Sequence, residues 1–113
     1  MSSLQFHNDL DRLINVLPDK VRRYITYEKM EDVIEIVLDI GRTPEIRHAG
    51  GKIDYLGEEF VEDDDINYIT CRLQEFTSDN RSGIPGTLHR ISAIRNRQGK
   101  IIGLTCRIGR VVT

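Results

Sequence analysis

The sequence of 113 residues contains no tryptophan, only two cysteines and three prolines, and only four tyrosines and three phenylalanines. The cysteines, Cys71 and Cys106, form no Cys-x-x-Cys pair, which excludes the common zinc modules and a disulfide framework. We therefore expect a reduced, intracellular protein. The few aromatic residues do not alternate with basic ones, so the sequence gives no support to an aromatic stacking platform for single-stranded nucleic acid.

Long hydrophobic runs are also missing. No apolar run approaches the roughly 20 residues of a membrane span, so we predict no membrane insertion. The first nine residues have neither the basic start nor the apolar centre of a secretory signal. A content of 39% hydrophobic and 30% charged residues, in a chain of one-domain length, is typical of a globular domain. We expect a single domain over residues 1–113.

Acidic residues are absent from the last third of the chain. All 18 lie at or before Asp79, so residues 1–80, with nine basic side chains, carry a net charge of −9. Residues 81–113 hold seven basic residues, six of them arginine, and carry +7. Two interpretations stay open at this point. Either the two regions neutralise each other within the fold, or the arginines face the phosphates or carboxylates of a partner.

The hydrophobic periodicity changes along the chain. A spacing of three and four predicts a helical segment over residues 3–25, interrupted at Pro18, and a second helix over 63–77. Strict alternation predicts a three-stranded meander over 33–61 and a basic hairpin over 87–109. On the first strand, we expect one buried face made of Ile34, Ile36, Leu38 and Ile40. Residues 78–86 are predicted to be a loop.

Motifs for catalysis and metal binding are weak. No Gly-x-x-x-x-Gly-Lys-Ser/Thr sequence occurs, so we expect no hydrolysis of ATP by this chain. The three histidines lie on separate elements, and for His89 we favour packing or hydrogen bonding over general-base catalysis. The acidic run 62–65 fits either a helix N-terminus or a hard cation, and we favour the helix. We therefore predict no catalytic residue, no metal site and no cofactor in this chain.

Four stretches carry a resemblance to a known family, namely residues 17–22, 34–45, 88–97 and 103–110. Together they resemble the N-terminal domain of the plastid and cyanobacterial AAA+ ATPases that carry an Arg-x-x-x-His nucleic-acid module. More distantly, they are similar to the stage III sporulation protein AA and to the N-terminal domains of secretion and pilus ATPases. The basic hairpin is the most specific part of the resemblance.

The resemblance implies an α+β, PAS-like fold with an antiparallel sheet of five or six strands, N-terminal helices and one central helix. It also implies a non-catalytic regulatory or assembly domain, part of a longer P-loop ATPase that forms hexamers and binds ATP and Mg²⁺. Such a domain docks on its own or a neighbouring ATPase domain, in the cytoplasm or the plastid stroma. The arginines that would contact the nucleotide or the neighbouring domain are Arg90, Arg95, Arg107 and Arg110.

Other readings of the same residues stay open. The basic hairpin also fits a nucleic-acid-binding module. A third possibility is a protein-interaction domain that uses a PAS-like sheet without a ligand. For Arg107, the structural alternative to a ligand is an ion pair with Glu35 or Asp39 across the sheet.

Overall fold

The structure is a computed structural model that describes residues 3–110. Six strands form one sheet in the order β3-β2-β1-β6-β5-β4, and every pair of neighbours is antiparallel. The predicted α+β class with an antiparallel sheet is therefore confirmed. In chain order the elements are α1 (Ser3–Ile14), α2 (Asp19–Arg22), β1 (Val33–Asp39), β2 (Glu45–His48), β3 (Ile53–Tyr55), α3 (Asp63–Thr70), β4 (Arg81–Gly83), β5 (Arg90–Arg95) and β6 (Ile101–Arg107).

The core lies between the helices and one face of the sheet. Leu10 and Leu13 of α1 and Ile69 of α3 are fully buried together with Ile36 of β1 and Leu104 of β6. All three helices contribute buried residues to this one cluster. No helix of residues 3–110 therefore covers the opposite face of the sheet, which we call the open face. Among the described residues, no helix has the length and apolar character needed to cross a membrane.

One prediction about the first strand is wrong at its start. The pairing of β1 with β2 is irregular between Val33 and Glu35, which is the sign of a β-bulge. As a result Val33 is buried and Ile34 is 46% exposed, although simple alternation placed Ile34 in the core. Beyond the bulge, Ile36 and Leu38 are buried as expected.

Two other boundaries also differ from the predictions. Helix α3 ends at Thr70 instead of residue 77, although Leu73 and Phe76 still pack against the core from irregular chain. The region predicted to be a loop contains β4, which pairs with β5 at the edge of the sheet. The basic hairpin predicted over 87–109 corresponds to the antiparallel pair β5 and β6, joined through residues 96–100.

The acidic run before α3 serves the helix, as favoured from the sequence. Asp65 accepts a hydrogen bond from the backbone N–H of Glu62 at 2.7 Å, which closes a capping box. The Lys20 ammonium lies 2.8 Å from the same oxygen of Asp65 and also donates to the carbonyl of Phe60. Lys20 therefore ties α2 to the start of α3.

Candidate functional site

The register of the sheet identifies the side chains of the open face. Glu35 lies opposite Arg107, and Arg107 lies opposite Arg90, while their neighbours Ile36, Cys106 and Ile91 are paired on the buried face. Because side chains alternate along a strand, the same face carries the next row two residues away. Across the sheet from β3 to β4, that row is Tyr55, Glu45, Val37, Thr105, Ser92 and Arg81.

Two arginines meet in the middle of this face. Arg90 and Arg107 are direct cross-strand neighbours, so their Cβ atoms are about 5 Å apart. Both side chains are exposed, and neither has an ion pair or a side-chain hydrogen bond among the described residues. Like charges placed directly opposite each other destabilise a sheet unless a counter-charge lies between them. Two positive charges thus lie side by side on the open face.

The carboxylate nearest to Arg107 in register is used elsewhere. Glu35 lies opposite Arg107, as the structural alternative expected, but its ion pair in the structure is with Arg47, at 3.6 Å. Arg47 also pairs with Glu45 at 3.1 Å. Asp39, the other expected partner, lies beside Gly103, where a side chain would collide with its carboxylate. Arg47 therefore faces the carboxylates of both Glu35 and Glu45, and among residues 5–110 Arg107 has no ion pair.

A third arginine, which sequence reasoning missed, completes the group. Arg81 of β4 lies opposite Ser92 on the same face, one row from Arg90, and is exposed. The sequence predicts a loop over residues 78–86, so it assigns the Arg81 side chain to neither face of the sheet. The sequence did contain a signal, because the run Thr77–Asn80 is made of residue types that favour turns. In the structure, Asn80 adopts a positive φ of 60° just before β4. We call Arg81, Arg90, Ser92, Thr105 and Arg107 the cationic half of the open face.

The remaining two candidate arginines lie elsewhere and have partners. Arg95 donates to the side chain of Asn80 at 2.6 Å and to the carbonyl of Gly99 at 2.8 Å, so it fixes the hairpin turn. Arg110 donates to the carbonyls of Met30 and Val33 at 2.8 and 2.9 Å. Its guanidinium also lies 4.4 Å from the centre of the Phe6 ring. Arg110 is thus turned into the protein, away from the open face.

His89 is a buried connection between α1 and the end of β6. Its Nε2 lies 3.0 Å from the carbonyl of Asp9, and its Nδ1 accepts the backbone N–H of Gly109 at 2.9 Å. A carbonyl only accepts and an amide N–H only donates, so the ring is the neutral tautomer with hydrogen on Nε2. Burial lowers the pKa of His89, against the opposing effect of Asp9. The predicted hydrogen-bonding role is confirmed.

This arrangement predicts a pH dependence of stability. The folded pKa of His89 lies below its unfolded value of about 6.5, so the unfolded chain binds the proton first. The unfolding free energy should therefore be fully present above pH 6.5 and decline as the pH falls below it, by at most about 1.4 kcal/mol per pH unit. In chemical unfolding between pH 7.5 and 5, the variant His89→Asn should show a shallower decline than the wild type. His7→Gln is the matched control, and an equal change of slope in it would contradict the assignment.

A second histidine lies in a separate cleft of about 460 Å³. His48 Nδ1 is 2.7 Å from Asp32 and its Nε2 is 2.9 Å from Asp54. The bond to His48 lowers the pKa of Asp32. Both ring nitrogens are engaged, so this histidine has no free nitrogen for base catalysis. Within residues 5–110, no cluster of three His, Cys, Asp or Glu side chains has the geometry to hold a metal ion.

The cysteines differ in their surroundings. Cys106 is fully buried in the core, and this burial raises the pKa of its thiol to about 12, so it is unreactive. Cys71 caps the end of α3 and is exposed. The prediction that Cys106 belongs to the core is confirmed.

Comparison with known proteins gives three relatives. A protein of Porphyra purpurea named "Uncharacterized protein ycf45" is 44% identical over 106 residues, which are 93% of this chain and 19% of that protein. The Arabidopsis thaliana protein SEEDLING PLASTID DEVELOPMENT 1 is 44% identical over 107 residues, 93% of this chain and 15% of that protein. A ycf45 protein of Cyanidium caldarium is 39% identical over 104 residues, 91% of this chain and 31% of that protein. This chain therefore spans less than a third of the length of each relative.

No protein-family model and no solved structure matches this chain. The relatives also correct the resemblance drawn from the sequence. They align with more than 90% of the chain, and none is named as an AAA+ ATPase, a sporulation protein or a secretion ATPase. The assignment to the N-terminal domain of such an ATPase is therefore wrong, and so is the description as secretion-ATPase-like. The plastid part of the resemblance agrees with the name of the Arabidopsis protein.

Proposed function

We propose that this domain is a non-catalytic binding module that holds single-stranded nucleic acid across the cationic half of its open face. The observation that carries the proposal is that Arg90 and Arg107 are cross-strand neighbours and that neither has an ion pair within residues 5–110. A bare pair of like charges destabilises the free sheet, whereas a phosphate between them would turn the repulsion into two attractions. Arg81 extends the positive charge towards the β4 edge, beside Ser92.

Several features favour phosphate over the carboxylates of a protein partner. The charged residues of the cationic half are all arginine, whose planar fork matches two phosphate oxygens. Ser92 and Thr105 form the adjacent row on the same face and offer hydroxyl donors. Protein interfaces depend on large buried aromatic or aliphatic anchors, and beside the cationic half the described residues offer on the same face the exposed Ile94 and the already buried Val37. Guanidinium planes can also stack on unpaired bases, which replaces the missing aromatic platform.

The relatives support a proposal for the cellular setting. The Arabidopsis protein is named for seedling plastid development, and we propose that the present protein also acts in plastids. The relatives are several times longer than this chain, so the module would work as one part of a larger protein. Without a phosphate-binding loop and its lysine, it would contribute binding and no hydrolysis of ATP.

The test is a titration of labelled single-stranded RNA and DNA by fluorescence anisotropy at several salt concentrations. We expect Arg90→Ala and Arg107→Ala each to weaken binding about tenfold, and each to reduce the slope of log affinity against log salt by about 0.7. Arg42→Ala removes one exposed charge outside the cationic half and is the matched control. Equal losses in Arg42→Ala, or full binding by the Arg90→Ala and Arg107→Ala double variant, would refute the proposal. Efficient competition by poly-glutamate at matched charge would instead indicate an acidic protein partner.

A further inference from the structure

A pocket of about 340 Å³ opens at the β4 edge, where the cationic half ends. One wall is the chain that follows α3, with Gln74 and Glu75, and the other wall carries Arg81 and Arg90. Hydrogen bonds hold the two walls together. Ser82 Oγ donates to the carbonyl of Gln74 at 3.0 Å, and the backbone N–H of Thr77 donates to the carbonyl of Arg81 at 2.9 Å. Two hydrogen bonds therefore connect the walls of the pocket, and its volume suits a small ligand.

Most polar groups of the lining are already used inside the protein. The Thr87 hydroxyl donates to the carbonyl of Ile84, and both ring nitrogens of His89 are bonded. The Ser82 hydroxyl donates to the wall itself. The charged groups left for a ligand are the two guanidinium groups, from Arg81 and Arg90, and one carboxylate, from Glu75. A ligand for this set has to present an anionic group together with hydrogen-bond donors.

We propose that this pocket accepts a guanine base of the bound strand, an inference that rests on the proposed function. Arg81 and Arg90 belong both to the cationic half and to the pocket, so a strand held there by its phosphates brings a base over the β4 edge. Guanine carries two adjacent donors on its Watson–Crick edge, N1–H and the N2 amino group, which match the two oxygens of Glu75. Adenine has an acceptor at N1, which a carboxylate repels. The exposed side chain of Leu88 gives the face of the base an apolar contact.

The experiment compares oligouridine strands that contain one central guanine, one central adenine, or neither, by fluorescence anisotropy. The wild type should bind the guanine strand about tenfold or more tightly than the adenine strand, as a bidentate contact predicts. Glu75→Gln keeps the shape of the side chain but replaces one acceptor oxygen with a donor, so it should abolish this preference. Its affinity for plain oligouridine should stay within about twofold of the wild type. Glu58→Gln, at an acidic residue outside the pocket, is the matched control.

The outcomes separate the two proposals. If no strand binds, the proposed function fails and this inference fails with it. If all strands bind through Arg90 and Arg107 but without a guanine preference, the module stands and the guanine pocket is wrong. A preference that survives in Glu75→Gln also overturns the pocket. Loss of the preference in Glu75→Gln alone, with Glu58→Gln unchanged, supports it.

Discussion

Replacement of Leu38 by alanine is expected to lower the free energy of unfolding by about 2–5 kcal/mol, the largest effect of any single change considered. Leu38 is 1% exposed and lies on β1, which has hydrogen-bonded neighbours on both sides. Its cross-strand neighbour on the β6 side is the buried Leu104. Removal of three carbons there leaves a cavity that a rigid sheet cannot close, because the strand is held in register on both edges. Urea unfolding followed by circular dichroism measures the change.

Ile34→Ala on the same strand is the matched control. Alternation placed Ile34 and Leu38 on one buried face, but the bulge after Val33 leaves Ile34 46% exposed. Its truncation should therefore cost no more than about 1 kcal/mol, since much of its surface already lies in water. Equal losses for the two variants would mean that the bulge is absent in solution. An unchanged midpoint for Leu38→Ala would show that the buried face of β1 is misplaced.

This contrast shows what periodicity encodes. Residues 33–39 read as a strand because alternate positions are apolar, and the structure agrees. A bulge inserts one residue into one strand of a pair, and that irregularity depends on the partner strand, which the local pattern does not contain. The predicted end of α3 was wrong for a related reason. Leu73 and Phe76 continue the helical spacing because they do pack on the core, but irregular chain carries them there.

The prediction of the candidate site from the sequence had a similar limit. The excess of arginine after residue 80 was visible in the sequence, and Arg90 and Arg107 were singled out. That they are direct neighbours could be known only from the register, because a shift of one residue moves every side chain to the other face. The partners of Arg110 could not be predicted from the sequence, because they are main-chain carbonyls, which every residue has. Composition thus showed the excess of arginine, and the register of the sheet decided which arginines share a face.

The reassignment of Arg110 gives the second large effect. Replacement of Arg110 by methionine is expected to lower the free energy of unfolding by about 2 kcal/mol. The two carbonyls, of Met30 and Val33, lose a charged donor, and the contact with Phe6 loses its cation. Methionine keeps a long apolar side chain, so the change reports the guanidinium more than its packing. Urea unfolding measures the loss, and binding of single-stranded nucleic acid by the folded variant should stay within about twofold of the wild type.

Arg107→Met, at the end of β6 and three residues before Arg110, should show the reverse behaviour. It relieves the like-charge contact with Arg90, so its stability should be equal to the wild type or higher by up to about 1 kcal/mol, while its affinity for nucleic acid falls about tenfold. The two variants remove the same group from positions three residues apart, so charge and composition are matched. If Arg110→Met keeps full stability and loses binding, Arg110 belongs to the ligand site after all. If Arg107→Met loses stability and keeps binding, Arg107 has a structural role and the cross-strand pair does not bind an anion.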